Sequence, residues 1–119
     1  MDTCRECCID IIVIFWGVFI LLRHIVTWNH KDGISDDEKR ANALKIIEEL
    51  EALTDCINEI IKIKVYINEL KSSTADIMLD SLFENEDTLK AYKIHHEHQR
   101  VGDYISSVLK NRTAFDYYE

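Results

Sequence analysis

The apolar side chains of this chain are concentrated in one early stretch, and polar and charged side chains dominate afterwards. Residues 9–28 read IDIIVIFWGVFILLRHIVTW, and the run from Ile11 to Leu22 carries no charged side chain. A helix that crosses a bilayer needs about 20 mostly apolar residues. The pattern therefore predicts a transmembrane helix over residues 9–28.

Basic side chains are unevenly distributed around this stretch. Arg5 is the one basic residue before it, and further basic residues stand at positions 23, 31, 39 and 40. Basic residues are retained on the cytoplasmic side of a membrane. We therefore expect residues 1–8 to be a short exoplasmic segment, residues 29–34 to be a linker and the rest of the chain to be cytosolic.

The remainder has the pattern of long helices. The chain contains no proline and three glycines, so the turn signals typical of a β-protein are scarce. Ser35 and Glu38 match a capping box, which marks the start of a helix. Apolar residues then recur three and four positions apart, which predicts an amphipathic helix over residues 35–71. After the break at Ser72 the pattern predicts a second helical segment over residues 75–111 and a frayed tail over residues 112–119.

The expected fold class is therefore all-α, with a single N-terminal transmembrane helix followed by a long helical hairpin or a coiled-coil region. The wide apolar face of the first helix indicates contact with more than one partner helix, within a hairpin or between copies in a parallel assembly. The predicted interaction face consists of Ile46, Leu50, Leu53, Ile57, Ile60 and Ile67.

The charge of the chain limits its partners. The 22 acidic residues outnumber the 14 lysines and arginines, so the formal net charge is -8 at pH 7. Nucleic-acid phosphates repel such a chain, and binding to DNA or RNA is not expected. The expected partners are a lipid membrane, further copies of the chain and another protein bound by the helical tail.

Two clusters carry reactive or metal-binding side chains. Cys4, Cys7 and Cys8 lie beside the apolar stretch, where they predict interchain disulfides on the exoplasmic side or acylation on the cytosolic side. The histidines at positions 95, 96 and 98 lack the i and i+4 spacing of a zinc-binding helix, so we expect no metal site. No nucleophile motif, phosphate loop or carboxylate pair is visible, and neither an enzyme nor a cofactor is expected.

His24 and Trp28 form an H-x-x-x-W motif near the end of the apolar stretch. On a helix this spacing stacks both rings on one face. With a very short leading segment, a single span and a helical tail, the chain resembles the influenza-type viral proton channels. The resemblance implies that His24 would be the proton sensor and that Trp28 would be the gate.

The sequence thus gives one leading hypothesis and two alternatives. The leading hypothesis is a single-pass membrane protein whose cytosolic acidic helical domain self-associates or binds a partner. The first alternative is an oligomeric, viroporin-like proton channel. The second is a soluble helical bundle. The asparagine at position 111 begins a glycosylation acceptor pattern, N-R-T, which is modified only if the C-terminal region is exoplasmic.

Overall fold

The computed structural model describes residues 20–119, which form an antiparallel sheet of four strands with helices on one of its faces. The elements follow in the order β1 (Leu22–His30), α1 (Asp36–Glu51), β2 (Lys62–Ile67), β3 (Ile77–Phe83), α2 (Glu86–Ile94), α3 (His96–Val108) and β4 (Leu109–Tyr118). A short 3₁₀ turn, Ala52–Asp55, follows α1. The strand order is β2-β3-β1-β4, so β1 and β3 are central and β2 and β4 are the edges.

Strand β1 has the period-two burial of a sheet that is covered on one face. Leu22, His24, Val26 and Trp28 are buried, and the residues between them are only partly buried. Strand β3 alternates in the same way, and in β2 the buried Ile63 and Val65 alternate with the exposed Lys62, Lys64 and Tyr66. Because successive side chains of a strand point to opposite faces, this alternation places every second side chain of each strand beneath the helices.

Local capping interactions determine where the helices begin. The Ser35 hydroxyl accepts a hydrogen bond from the backbone N–H of Glu38 at 3.1 Å, which confirms the predicted helix start. The Asn85 side chain accepts from the N–H of Thr88 at 3.0 Å, and the Thr88 hydroxyl accepts from the N–H of Asn85 in return. This reciprocal pair satisfies two amides at the start of α2 that have no partner within the helix.

The core lies between the helices and the covered face of the sheet. Helix α1 packs against β2 and α3, and it buries Ala43, Ile46 and Leu50. Leu53, Ile57 and Ile60 continue the core through the segment that leads to β2. The apolar spacing that predicted an interaction face between helices therefore fills the interior of one chain.

The prediction of an all-α protein is wrong, because the four strands form the centre of the described structure. The segment 35–71 contains α1 and β2, and the segment 75–111 contains β3, α2, α3 and the first residues of β4. Residues 112–119, expected to be a frayed tail, form most of β4 and pair with β1.

The prediction of a transmembrane helix over residues 9–28 is also wrong, because the end of this range is a strand. Its last seven residues, 22–28, belong to β1 and pair with β3 on one side, while residues 22–27 also pair with β4 on the other. Residues 9–19 lie outside the described residues, as do Cys4, Cys7 and Cys8. Within residues 20–119 no helix has the length and apolar character needed to cross a bilayer. The single-pass topology, with its exoplasmic N-terminus and cytosolic C-terminus, is not supported.

Two neighbouring positions of α1 test this packing. Ile46 is 0% exposed and Leu44 is 56% exposed. Truncating a fully buried isoleucine removes its contacts and leaves a cavity, so we expect Ile46→Ala to lower the free energy of unfolding by about 2–5 kcal/mol. Leu44→Ala on the same helix should change it by no more than about 0.5 kcal/mol. Urea unfolding followed by circular dichroism measures both values, and equal losses would contradict this arrangement.

Candidate functional site

A small pocket opens between the helices and the part of the sheet formed by β1, β3 and β4. Its volume is about 100 Å³, which is room for several water molecules or a small organic group. The apolar part of its wall consists of Val26, Trp28, Leu50, Leu79 and Ile105. The polar side chains that border it are those of His24, Tyr92, His98, Ser106 and Arg112. We refer to it as the central pocket.

The first polar element of the pocket is a histidine–aspartate pair formed by the sheet register. His24 of β1 lies directly opposite Asp116 of β4, and the two side chains point towards the helices. The His24 Nδ1 is 2.5 Å from the Asp116 Oδ1. A carboxylate only accepts hydrogen bonds, so Nδ1 donates and the Nε2 of His24 is left as an acceptor.

Burial controls the protonation of His24. Its side chain is 2% exposed, and this burial lowers its pKa below the ordinary value, although the hydrogen bond and the charge of Asp116 oppose the shift. The nearby cations Lys93 and Arg112 lower the pKa further. The imidazole is therefore neutral at pH 7 and fixed in one tautomer.

The second polar element is the pair formed by Tyr92 and His98. Their rings are 4.3 Å apart between centroids. They are six positions apart, a spacing that would separate them on one continuous helix. The chain leaves helical geometry at His95, where α2 ends and α3 begins, and this break brings the two rings together.

Burial also controls the protonation of His98 and Tyr92. The Nδ1 of His98 donates to the carbonyl oxygen of Lys93 at 3.0 Å, which leaves its Nε2 as an acceptor. Burial lowers the pKa of His98, and it raises the pKa of Tyr92 far above the ordinary value. The Tyr92 hydroxyl is buried and has no hydrogen-bond partner among residues 20–119. An unpartnered buried hydroxyl costs about 1–3 kcal/mol, so it is a position where a ligand atom would be stabilised.

A bulge in β4 places Arg112 at the pocket. The pairing of β1 with β4 shifts between Thr27 and Asn29, and Asn111 has a φ of 59° in the left-handed region. Such a bulge re-aims the residues beside it. From there Arg112, Ala114 and Asp116 lie on the helix side of β4. Arg112 borders the central pocket and Asp116 lies beside His24.

A larger cleft adjoins the central pocket between α2 and β4. Its volume is about 490 Å³. Lys90 and Lys93 of α2 face Asp116 and Tyr118 of β4 across it, and Leu22 and Leu89 supply apolar surface. Asp116 lines this cleft while its partner His24 lines the central pocket, so the two spaces meet at that hydrogen bond.

The structure relocates the residues that the sequence singled out. His24 and Trp28 do lie on one face, but that face is the buried side of a strand, and the predicted role as sensor and gate of a proton channel is wrong. Of the predicted interaction face, Leu50 borders the central pocket, and Ile67 is partly exposed near the β2–β3 loop. The other four members, Ile46, Leu53, Ile57 and Ile60, are buried in the core.

Of the histidine cluster, only His98 reaches the pocket, while the rings of His95 and His96 stack on each other at 4.7 Å. Among residues 20–119 no group of three metal-binding side chains is positioned to hold an ion. Sequence reasoning missed Tyr92, Asp116 and Arg112 as site residues. The available signal was the β-forming composition of residues 113–118, TAFDYY, which indicates a strand rather than a frayed tail.

The solved structures most informative for this chain share its fold. A dimeric protein of unknown function with a ferredoxin-like fold from Bacteroides fragilis is 33% identical, with a TM-score of 0.77, and the match covers 82% of this chain and 94% of that chain. A dimeric ferredoxin-like protein of unknown function from Thermobifida fusca is 22% identical over 83% of this chain and 91% of that chain, with a TM-score of 0.70.

A third structure, the hydroxynitrile lyase from Passiflora edulis, is 14% identical over 85% of this chain and 94% of that chain, with a TM-score of 0.70. At that identity it shares the fold alone. A comparison with curated protein sequences finds no match. No enzymatic reaction follows for this chain from these comparisons, and they contradict the resemblance to viral proton channels.

The match to a protein family covers residues 22–119, from the first residue of β1 to the last residue of the chain, and so includes every side chain of the central pocket. The chain belongs to the family described as the Stress responsive A/B Barrel Domain.

Proposed function

We propose that this protein is a homodimer that binds a small organic molecule in the central pocket of each copy. The observation that carries the binding proposal is the buried, unpartnered hydroxyl of Tyr92, a residue that lines the central pocket together with five apolar side chains. Sites for small molecules combine apolar walls with a few convergent polar groups. The Nε2 atoms of His24 and His98 supply two further groups, both oriented by hydrogen bonds at Nδ1.

Gly102 supports the same interpretation. It lies inside α3 and borders the central pocket, and a Cβ built on it would meet no atom within 4 Å. A glycine within a helix costs about 0.5–1 kcal/mol relative to alanine. The glycine thus leaves the space beside α3 open although it destabilises the helix, which is consistent with a pocket that binds a ligand.

The open face of the sheet supports the dimer. Helices cover one face, while the other exposes aromatic and aliphatic side chains, with Phe115 68% exposed and packed edge-on against Tyr117. Exposed apolar side chains gathered on one face are typical of an interaction site, and the ion-paired Arg23 and Asp80 lie on the same face. The apolar members of the open face are Ile25, Tyr66, Met78, Leu82, Phe115 and Tyr117.

A second copy is the occupant that fits this face. The sheet leaves two edges, and β4 presents ten residues along one of them. Four strands are too few to close a barrel, whereas eight strands from two copies close one with a filled interior and no free edge. The dimeric state of the Bacteroides fragilis and Thermobifida fusca proteins and the barrel in the family description support this assembly. The homo-oligomer expected from the sequence is thus retained, on a different surface.

A charge on the open face should separate the copies. Phe115 on that face and Ile94 on α2 are equally exposed, at 68% and 67%. We expect Phe115→Glu to convert the dimer into a monomer, because the carboxylate would be buried unpaired between the sheets. Ile94→Glu, which adds the same charge on the helical side, should leave the dimer intact. Sedimentation velocity at several protein concentrations measures both, and a dimer that survives Phe115→Glu would rule out this interface.

Filling the central pocket should abolish binding. Isovaleramide is a small neutral probe with an apolar body and a polar end. Its binding is followed by nuclear magnetic resonance, as changes in the chemical shifts of the Trp28 indole and the His98 ring. We expect Gly102→Leu to remove these shifts, because its side chain would occupy the space beside α3. Gly102→Ala leaves most of that space free and should keep binding while raising stability by about 0.5–1 kcal/mol. Undiminished binding to Gly102→Leu would contradict the assignment of the pocket.

The neutral histidines predict a specific dependence on pH. Burial lowers the folded-state pKa of His24, His30 and His98 below 6.5. As the pH falls below about 6.5, the unfolded chain takes up protons that the folded chain does not, and the free energy of unfolding decreases. Stability is therefore complete above that pH and is lost on acidification towards the folded-state values. Urea unfolding at several pH values should show a shallower loss for His98→Gln than for the exposed control His96→Gln, and identical profiles would contradict the role of burial.

A further inference from the structure

The charge at the mouth of the central pocket is not balanced. Arg112 borders the pocket, and no carboxylate or carbonyl among residues 20–119 pairs with its guanidinium. Arg23 and Arg100, in contrast, each form ion pairs with two carboxylates. Arg112 is thus a cation beside a pocket without a protein partner.

The acidic residue nearest in the site does not neutralise it. Asp116 is committed to His24 at 2.5 Å. It is four residues from Arg112 along an extended strand, about 13 Å at the rise of a β-strand. The charge of Arg112 instead acts on the pocket groups, where it lowers the pKa of His24 and of His98 further after burial and opposes the burial effect at Tyr92. Lys93 adds a second positive charge beside the two histidines.

The remaining wall limits what kind of anion fits. Val26, Trp28, Leu50, Leu79 and Ile105 surround most of the pocket. A bare inorganic anion would lose its hydration against this surface without compensation. An anion with an apolar body buries that body among these side chains and keeps its charge at the mouth, near Arg112 and the hydroxyl of Ser106.

We propose that the ligand of the central pocket is a small organic carboxylate, anchored by the guanidinium of Arg112, with its apolar body against Val26, Trp28 and Leu79. A carboxylate accepts two parallel N–H bonds from an arginine, and such charge-assisted pairs are among the strongest hydrogen bonds in proteins. This inference rests on the binding function proposed above and adds the chemical class of the ligand.

The test compares two probes of nearly equal shape. Isovalerate carries the carboxylate and isovaleramide replaces it with a neutral amide. Their dissociation constants are measured on the full chain at neutral pH by proton–nitrogen correlation spectra that follow Trp28 and His98. We expect the wild type to bind isovalerate at least about tenfold more tightly than isovaleramide, the usual effect of a hydrogen-bonded charge.

Arginine variants identify the anchor. Arg112→Gln should bind both probes equally, while Arg112→Lys, which keeps the charge and loses the planar fork, should retain part of the preference. Arg40→Gln removes the same charge from the exposed surface of α1, away from the pocket, and should keep the full preference. Because Arg112 is exposed and makes no ion pair in the described structure, its variants should melt at the wild-type temperature.

The outcomes separate this inference from the function on which it rests. If isovaleramide binds as tightly as isovalerate, the carboxylate assignment is overturned while the binding pocket stands. If Arg112→Gln keeps the preference for isovalerate, the role of Arg112 as the anchor is overturned. If inorganic phosphate displaces isovalerate at equal concentration, the requirement for an apolar body is overturned. If neither probe shifts Trp28 or His98 at tens of millimolar, the inference and the proposed binding function fail together.

Discussion

The antiparallel pairing of β1 with β4 is the constraint on which the rest of this structure depends. It sets His24 opposite Asp116 and, through the bulge at Asn111, brings Arg112 to the same side of the sheet. A shift of β4 by one residue in this register would send Asp116 and Arg112 to the opposite face, away from His24. The break between α2 and α3 then places Tyr92 and His98 over the strand pair, so that residues from distant parts of the chain share one small pocket.

A sheet covered on one face only creates two different surfaces. The helix side encloses the core and the central pocket, where two of the polar side chains, His24 and His98, are oriented by a hydrogen bond at Nδ1. The opposite side exposes aromatic side chains such as Phe115 and Tyr117 between two open strand edges. The proposed dimer uses the second surface and leaves the first free. Binding and assembly are therefore separable, and variants of one surface can be examined without disturbing the other.

Some local features were predicted correctly from the sequence, but the fold into which they combine was predicted wrongly. The helix start at Ser35 and the burial of Ile46 and Leu50 follow from the sequence, because a capping side chain and a helical apolar stripe are local signals. The spacing of His24 and Trp28 is ambiguous in principle. Four residues return to the same face both in a helix of 3.6 residues per turn and in a strand of period two. Treating residues 9–28 as one continuous span concealed the alternation of β1, in which Arg23 and Thr27 fall between buried residues. The same oversight affected β2, where Lys62 and Lys64 alternate with Ile63 and Val65.

The site was less predictable than the elements, because it depends on pairings between distant residues. Nothing local to His24 indicates that Asp116 will lie beside it, 92 positions later. The most direct measurement is therefore the pattern of nuclear Overhauser contacts between residues 22–28 and 113–118 in the full chain. The account predicts cross-strand contacts in the register that joins Ile25 to Phe115 and His24 to Asp116, together with an Nδ1 proton on His24 that is lost in Asp116→Asn. Helical contacts through residues 22–28, with none to the C-terminal strand, would contradict it.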